Sequence, residues 1–162
     1  MIVAKDPVKI LLVEDNVDQR ELTLRAFRKK DPGLQVTAVE NGPACLEMLR
    51  QGHFDAIILD YSLPMMNGIE VLSQIQAKGC PLPVIMVTGQ GDEKIAVEAM
   101  KRGAYDYIIK SQNDHQALPS VTLKVIDDTG RFGVHQFTHG EAAEVKAVVD
   151  DDEARERADR DQ

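Results

Sequence analysis

The sequence lacks the residues that build most cofactor and redox centres. Its 162 residues include no tryptophan, 4% aromatic residues and only two cysteines. Cys45 and Cys80 lie in separate apolar segments, with no CxxC spacing and no histidine near them in the sequence, which argues against a metal or disulfide framework. We interpret them as two small buried thiols in a reducing compartment.

A basic surface and a long hydrophobic run are also missing. The formal net charge is −8 and the pI is about 5.0, which disfavours direct nucleic-acid binding because that needs cations to displace counterions from phosphates. The N-terminal residues contain one short apolar run interrupted by charge, so neither a secretory signal nor a membrane span is expected. We therefore expect a cytoplasmic protein with no direct nucleic-acid partner and no membrane insertion.

Residues 1–129 alternate short β-branched runs with longer segments of helical period. This pattern is typical of repeated βα units on a parallel sheet. The third and fourth runs are almost entirely apolar and are expected to be central strands, covered by helices on both faces. The predicted strands span residues 8–13, 34–39, 55–60, 83–88 and 106–110.

Helix start and stop signals divide the segments between these strands. Asn16 and Asp92 suit N-cap positions, and Pro43 suits a first helical position. Glycines follow three of the helices, where a left-handed residue is favoured; they are Gly52, Gly79 and Gly103. The predicted helices span residues 17–30, 43–51, 67–78, 93–102 and a last segment ending near Asp127.

Pro119 interrupts the last helical segment. A proline inside a helix removes a backbone hydrogen bond. We therefore expect regular helix only from about Pro119 onward, with residues 113–118 forming a separate turn.

The character of the sequence changes after Thr129. Residues 130–162 carry nine acidic and five basic residues, about half of the net charge in a fifth of the chain. Such composition favours an acidic tail, solvated or disordered, after a domain that spans residues 1–129. The alternative is a docking element, because residues 141–149 would permit one or two amphipathic turns. No output motif follows the domain.

Polar residues occur at the C-terminal ends of the apolar strand runs. In open parallel sheets ligands bind beyond the carboxyl ends of the strands. Three carboxylates in one pocket need a neutralising cation, and oxygen ligands of this kind suit Mg²⁺. A lysine and a threonine beside them could hold phosphoryl oxygens, and an aspartate can serve as the nucleophile in phosphoryl transfer. The residues concerned are Glu14, Asp15, Asp60, Thr88 and Lys110.

Each of these residues alone has a simpler explanation. Glu14 and Asp15 could stabilise the first turn of a helix, Asp60 could open a turn, and Lys110 could be a solvated strand end. Four strand ends bearing two acids, an acid, a hydroxyl and an ammonium in this order are difficult to obtain from unrelated caps. The joint pattern therefore favours a phosphoryl-transfer site.

Residues 7–127 resemble the receiver domains of two-component response regulators. The resemblance lies in the segments ILLVEDN, DAIILDYSLPMMNG, PVIMVTGQ and GAYDYIIK. It implies a flavodoxin-like (βα)5 three-layer sandwich, with a five-stranded parallel sheet in the order 2-1-3-4-5.

The resemblance also implies roles for individual residues. Asp60 would accept a phosphoryl group from a sensor histidine kinase or a histidine phosphotransfer protein. Asp15, Asp60 and the Ser62 backbone carbonyl would bind Mg²⁺, with Glu14 acting partly through a metal-bound water. Lys110 would pair with Asp60 at rest and with a phosphoryl oxygen afterwards.

The same resemblance implies a switch. Thr88 would move to hydrogen-bond the phosphoryl group and Tyr107 would rotate inward, changing a surface that an unknown downstream protein reads. A plain core aromatic is nearly as good an explanation for Tyr107. The domain would not be an enzyme beyond its own phosphoryl transfer and dephosphorylation.

Two residues depart from the family pattern. Receivers commonly have a proline after the last-strand lysine, in a cis peptide, whereas Ser111 follows here and a non-proline cis bond costs about 3 kcal/mol. Pro119 in the last helix is the second departure. An atypical signalling face is therefore expected beside an ordinary acidic pocket.

Three other functions need residues or domains that can be compared with this sequence. A Mg²⁺-dependent phosphatase of the haloacid dehalogenase type would need a second aspartate where Ser62 stands. A dinucleotide-binding module would need GxGxxG after the first strand, where Glu14 and Asp15 would repel a pyrophosphate. A stand-alone phosphorelay carrier, or a receiver fragment of a larger hybrid kinase or multidomain regulator, keeps the fold and stays open.

Overall fold

The computed structural model of the protein describes residues 6–89, 92–110 and 114–130. Five strands alternate with five helices along these residues. The strands are β1 (Lys9–Val13), β2 (Gln35–Val39), β3 (Ala56–Asp60), β4 (Val84–Thr88) and β5 (Asp106–Ile109). The helices are α1 (Val17–Lys30), α2 (Gly42–Gln51), α3 (Gly68–Ala77), α4 (Glu93–Lys101) and α5 (Asp114–Asp128).

All five strands pair in parallel in the order β2-β1-β3-β4-β5. This confirms the predicted flavodoxin-like arrangement. The two strands predicted to be central, β3 and β4, are buried at every residue. Successive side chains of a strand point to opposite faces of the sheet, so the strands supply two separate cores.

One core lies between the sheet and helices α2, α3 and α4. It contains alternate strand residues such as Leu11, Ile57 and Met86, together with Val71 and Ala99 from the helices. The other core lies between the sheet and helices α1 and α5, where Leu12, Ile58 and Ile85 pack against Phe27 and Ile126. The sheet thus lies between two layers of helices, which is the three-layer sandwich that the resemblance implies.

Asparagine side chains begin three of the helices. Asn16, Asn41 and Asn67 each accept a hydrogen bond from the backbone N–H three residues later, at 2.8 to 3.0 Å. Asp92 precedes α4 as predicted, but its side chain makes no capping bond. Its backbone (φ −100°, ψ 35°) is not in the extended conformation that aims a cap side chain at the helix.

Two of the three predicted left-handed glycines are confirmed. Gly79 and Gly103 have φ of 69° and 104°. Gly52 does not: its φ is −130°, and the chain leaves α2 in an extended conformation while the Gly52 N–H still bonds the Met48 carbonyl. A Cβ at Gly52 would lie 3.3 Å from the Phe54 ring, so close packing rather than a positive φ favours glycine there.

The prediction of a separate turn before Pro119 is wrong. Helix α5 begins at Asp114 and runs through Pro119 without a break. Proline in a helix interior costs about 3 kcal/mol, whereas each fully buried aliphatic side chain contributes roughly 1.5 to 3 kcal/mol. Leu118, Val125 and Ile126 are at most 5% exposed, and burying this face outweighs the lost hydrogen bond.

Other predictions fall on residues outside the described ranges. Ser111 and the peptide bond before it, and residues 131–162 of the predicted tail, are among them. Among the described helices, none has the length and apolar character needed to span a bilayer.

Leu118→Ala tests the continuous helix. Leu118 packs in the core between α5 and the sheet, so its truncation is expected to lower the free energy of unfolding by about 2 to 5 kcal/mol in urea denaturation. Gln116→Ala, at an exposed site two residues earlier, should change it by less than about 0.5 kcal/mol. A Leu118→Ala effect as small as that of Gln116→Ala would mean that residues 114–118 do not pack as helix.

Candidate acidic phosphoryl site

Three charged side chains from different strands meet beyond the carboxyl edge of the sheet. Glu14 follows β1, Asp60 ends β3 and Lys110 follows β5. They continue the alternation of Leu12, Ile58 and Ile108, and therefore lie on the α1 and α5 side of the sheet. All six side chains line one small cavity there.

Lys110 joins the two buried acids. Its Nζ lies 2.9 Å from Asp60 Oδ2 and 3.3 Å from Glu14 Oε2. Glu14 and Asp60 are 5% and 4% exposed. The predicted pairing of Lys110 with Asp60 is confirmed, and the additional bond to Glu14 was not predicted.

Asp15 completes a carboxylate cluster with Glu14 and Asp60. One oxygen each from Glu14, Asp15 and Asp60 lies within 4.8 Å of the others, and Asp15 is exposed to solvent. Three carboxylate oxygens at this spacing, one of them open to water, fit a hard divalent cation that keeps several waters.

The Ser62 backbone also reaches this cluster. The Ser62 N–H donates to Asp60 Oδ1 at 3.2 Å, so the chain turns back beside Asp60 directly after β3. The role of the Ser62 carbonyl as a metal ligand stays a prediction.

The pKa of Glu14 is raised to about 7. Burial is the largest cause, followed by the hydrogen bond with Asp60 and its negative charge, whereas Lys110 and the Asn16 N–H lower it. The pocket thus holds more negative charge than one lysine neutralises. Near neutral pH, Glu14 takes up a proton when no metal neutralises it.

The pKa of Lys110 is raised. Burial alone would lower it, but the hydrogen bond and charge of Asp60, with those of Glu14, more than compensate. The lysine therefore stays an ammonium and offers a permanent positive charge beside Asp60.

Thr88 and Tyr107 lie on the opposite face of the sheet end. Thr88 is fully buried, and its hydroxyl has no hydrogen-bond partner among the described residues. It alternates with Met86, which pairs in register with Tyr107 on β5. Tyr107 is partly buried against the core of α2, α3 and α4. A buried hydroxyl left unsatisfied costs about 1 to 3 kcal/mol, so Thr88 gains by reaching an acceptor.

Gly68 allows α3 to begin in close contact with the backbone of Asp60 and Tyr61. A Cβ there would lie 2.6 Å from the Asp60 carbonyl oxygen and 2.8 Å from Tyr61 Cα, both backbone atoms that cannot move aside. The Gly68 N–H instead donates to the Tyr61 carbonyl at 2.8 Å. This close approach holds the end of β3 in place.

Two contributors to the site were missed by the sequence analysis. Arg20 donates to the Glu14 backbone carbonyl at 3.2 Å and pairs with Glu40 at 3.4 Å, which ties α1 to the end of β1. Met65 adopts a left-handed φ of 68° in the loop after Asp60, and is 73% exposed. The spacing of Arg20 one helical turn after Asn16 is a signal that could have been used, whereas nothing in a methionine predicts a positive φ.

The structure thus brings together most of the predicted site. Glu14, Asp15, Asp60 and Lys110 form one cluster, with the Ser62 backbone beside it. Thr88 and Tyr107 lie next to the cluster but do not join it.

Comparisons with known proteins agree with this geometry. Residues 10–122 match the family described as "Response regulator receiver domain". The chain is 33% identical over 105 residues to the transcriptional regulatory protein FixJ of Bradyrhizobium diazoefficiens, covering 65% of this chain and 50% of that protein. It is 33% identical over 105 residues to the transcriptional regulatory protein ZraR of Escherichia coli, covering 65% of this chain and 23% of that one. The matched region thus spans half or less of these relatives.

Solved structures show the same fold. The receiver domain of NtrX from Brucella abortus is 30% identical, with a TM-score of 0.63, and the match covers 73% of this chain and 98% of that one. The response regulator domain of Thermotoga maritima CheB is 28% identical, with a TM-score of 0.63, over 75% and 96% of the two chains. With the family match over residues 10–122, these likenesses show that the chain belongs to the response regulator receiver domain family of two-component signalling.

Proposed function

We propose that this receiver accepts a phosphoryl group on Asp60 with the help of Mg²⁺. The observation that carries the proposal is the Asp60 carboxylate held at 2.9 Å from a Lys110 ammonium, inside a cluster of three carboxylate oxygens. A nucleophile, a cation for the phosphoryl oxygens and a set of metal ligands are thereby gathered at one sheet edge.

Asp60 is the nucleophile in this proposal. A carboxylate oxygen of Asp60 attacks the phosphorus, and the bond from phosphorus to the donor, such as a phosphohistidine nitrogen, breaks while the imidazole keeps that electron pair. The Lys110 ammonium shifts from Asp60 to an oxygen of the incoming phosphoryl group. It reaches that oxygen because Lys110 and Asp60 lie at the same edge of the sheet. Mg²⁺, held by Asp15, Asp60 and the Ser62 carbonyl, would neutralise charge on the phosphoryl oxygens.

Glu14 adjusts the charge of the pocket. Without metal it holds a proton near neutral pH, as its raised pKa indicates. A dication held by Asp15, Asp60 and the Ser62 carbonyl would supply the neutralising charge in place of that proton, and Glu14 would help to hold it through a water. Its contact with Lys110 keeps the ammonium in the pocket when Asp60 is modified.

Thr88 is the proposed switch. Its hydroxyl lacks a described partner, and a phosphoryl oxygen on Asp60 would supply one. The movement of Thr88 frees space on the side where Tyr107 packs, and Tyr107 rotates inward. The surface around α4, β5 and α5 then differs between the two states, and a downstream protein reads it.

The proposed donor is a sensor histidine kinase or a histidine phosphotransfer protein in the cytoplasm. The relatives named above are longer regulators, and two of them are called transcriptional. We therefore favour a receiver that works as part of a larger protein over a stand-alone carrier, with any DNA contact made outside the acidic domain described above. Ser62, in place of a second aspartate, continues to disfavour a phosphatase.

Beryllofluoride tests the acceptor role. With Mg²⁺ and beryllofluoride at about one hundred times the dissociation constant, calorimetry should show stabilisation by roughly 2.7 kcal/mol, a rise of several degrees in Tm. Asp60→Asn should abolish the rise, whereas Asp18→Asn, an exposed acid on α1, should keep it. A wild-type protein that shows no Mg²⁺-dependent shift would contradict the proposal.

The raised pKa of Glu14 makes Mg²⁺ binding depend on pH. Below about pH 7 the proton on Glu14 opposes the metal, so affinity rises with pH through the pKa and levels off above it. One competing proton gives an increase of about tenfold between pH 6 and pH 8. Isothermal titration calorimetry suits the measurement because the chain has no tryptophan.

Glu14→Gln should flatten this pH dependence, and Glu21→Gln on the exposed side of α1 should leave it unchanged. Wild-type affinity that is equal at pH 6 and pH 8 would show that Glu14 does not compete with the metal for a proton.

A further inference from the structure

A basic groove runs between α1 and α5, apart from the acidic cluster. Leu22, Arg25, Lys29 and Lys30 line it from α1, and Gln116 and Ser120 line it from α5. Among the described residues, no acidic side chain lines it. This is a concentrated positive patch on a chain whose net charge is −8.

The cations of the groove have no partners in the described part of the chain. Arg25, Lys29 and Lys30 are exposed, and none of them forms an ion pair there. Elsewhere Arg50 and Arg102 pair with acids on their own helices. Three like charges held along one groove repel one another unless an anionic group lies between them.

An acidic segment of the same chain follows α5. Residues 141–153 contain six acidic residues and one lysine, and end in the four consecutive acids Asp150, Asp151, Asp152 and Glu153. No other stretch of the sequence has four acids in a row. Its charge is opposite to that of the groove.

The distance to be spanned is short. Ser120 lies eight residues before the end of α5, about 12 Å at 1.5 Å per residue. About twenty residues separate Gly130 from Asp150, and an extended chain of that length reaches roughly 65 Å. Tethering at such a distance gives an effective concentration on the order of millimolar, so weak contacts suffice for binding.

The groove also offers an apolar contact. Leu22 is 39% exposed and lines the groove. Valines at 145, 148 and 149 directly precede the acidic run. They can cover Leu22 while the acids reach the cations.

We propose that residues 141–153 fold back and bind the groove between α1 and α5. Acids 150–153 pair with Arg25, Lys29 and Lys30, and the valines cover Leu22. This favours the docking alternative for the tail over a solvated or disordered segment. The proposal is independent of phosphorylation of Asp60.

Binding there places the tail next to the acidic site. His115 lines both the groove and the cavity that contains Asp60 and Lys110.

Paramagnetic relaxation from a spin label tests the proposal in the full chain. The label is placed by Ala154→Cys in a Cys80→Ser background. Cys45 stays unlabelled because it is buried, and burial raises the pKa of its thiol. Amide signals of Lys29, Gln116 and Ser120 should broaden, and those of α3 on the far face should not. The broadening should vanish in 1 M NaCl, where the Debye length is about 3 Å.

Charge reversal supplies the matched control. Lys29→Glu with Lys30→Glu should remove the broadening, whereas Lys78→Glu with Lys94→Glu, exposed and equal in charge change, should keep it. Equal loss in both pairs, or uniform broadening over the whole domain, would overturn the proposal. Broadening that appears in an isotope-labelled chain mixed with a spin-labelled one would assign the groove to a second copy and overturn it as well.

Discussion

The ammonium of Lys110 is the interaction on which the rest of the site depends. It lies 2.9 Å from Asp60 and 3.3 Å from Glu14, two carboxyl groups that are almost completely buried. Two buried anions with no cation would be costly, and the protein would relieve that cost by protonating one of them or by opening the pocket. One lysine compensates for only part of this negative charge. The uncompensated part, together with burial, raises the pKa of Glu14. The positive charge missing from the pocket is supplied by a proton on Glu14, and a metal ion can supply it instead.

The fold brings the residues of this cluster to one edge of the sheet. Parallel pairing of β1, β3, β4 and β5 brings four strand ends to one edge, and the alternation of side chains divides them between two faces. Glu14, Asp60 and Lys110 fall on the α1 and α5 face, whereas Thr88 and Tyr107 fall on the face of α2, α3 and α4. Thr88 thus lies across the end of the sheet from the proposed acceptor Asp60. The close approach of α3 at Gly68 holds the end of β3 in place.

Much of this arrangement could be predicted, because it follows from the spacing of apolar residues and from the positions of polar residues at the strand ends. The apolar runs predict the strands, and the polar residues at their ends predict where side chains converge, so Asp15, Asp60 and Lys110 lie together as expected. The sheet order was implied by the resemblance to receiver domains and is confirmed. Local signals failed where tertiary packing overrode them. Pro119 lies inside α5 because Leu118 and Ile126 bury an apolar face of that helix. At Gly52, close packing against Phe54 rather than a positive φ favours glycine. The second bond of Lys110, to Glu14, depends on how the lysine side chain extends across the end of the sheet. The spacing of residues along the sequence does not determine this.

The central claim is that Asp60, and no other residue, receives the phosphoryl group. The most direct measurement is borohydride trapping of the full chain after incubation with acetyl phosphate and Mg²⁺, followed by peptide mass mapping, because borohydride reduces an aspartyl phosphate to a stable alcohol. We predict a reduced residue at position 60 that appears only when both acetyl phosphate and Mg²⁺ are present. Modification at another residue, or no reduced aspartate at all, would contradict it.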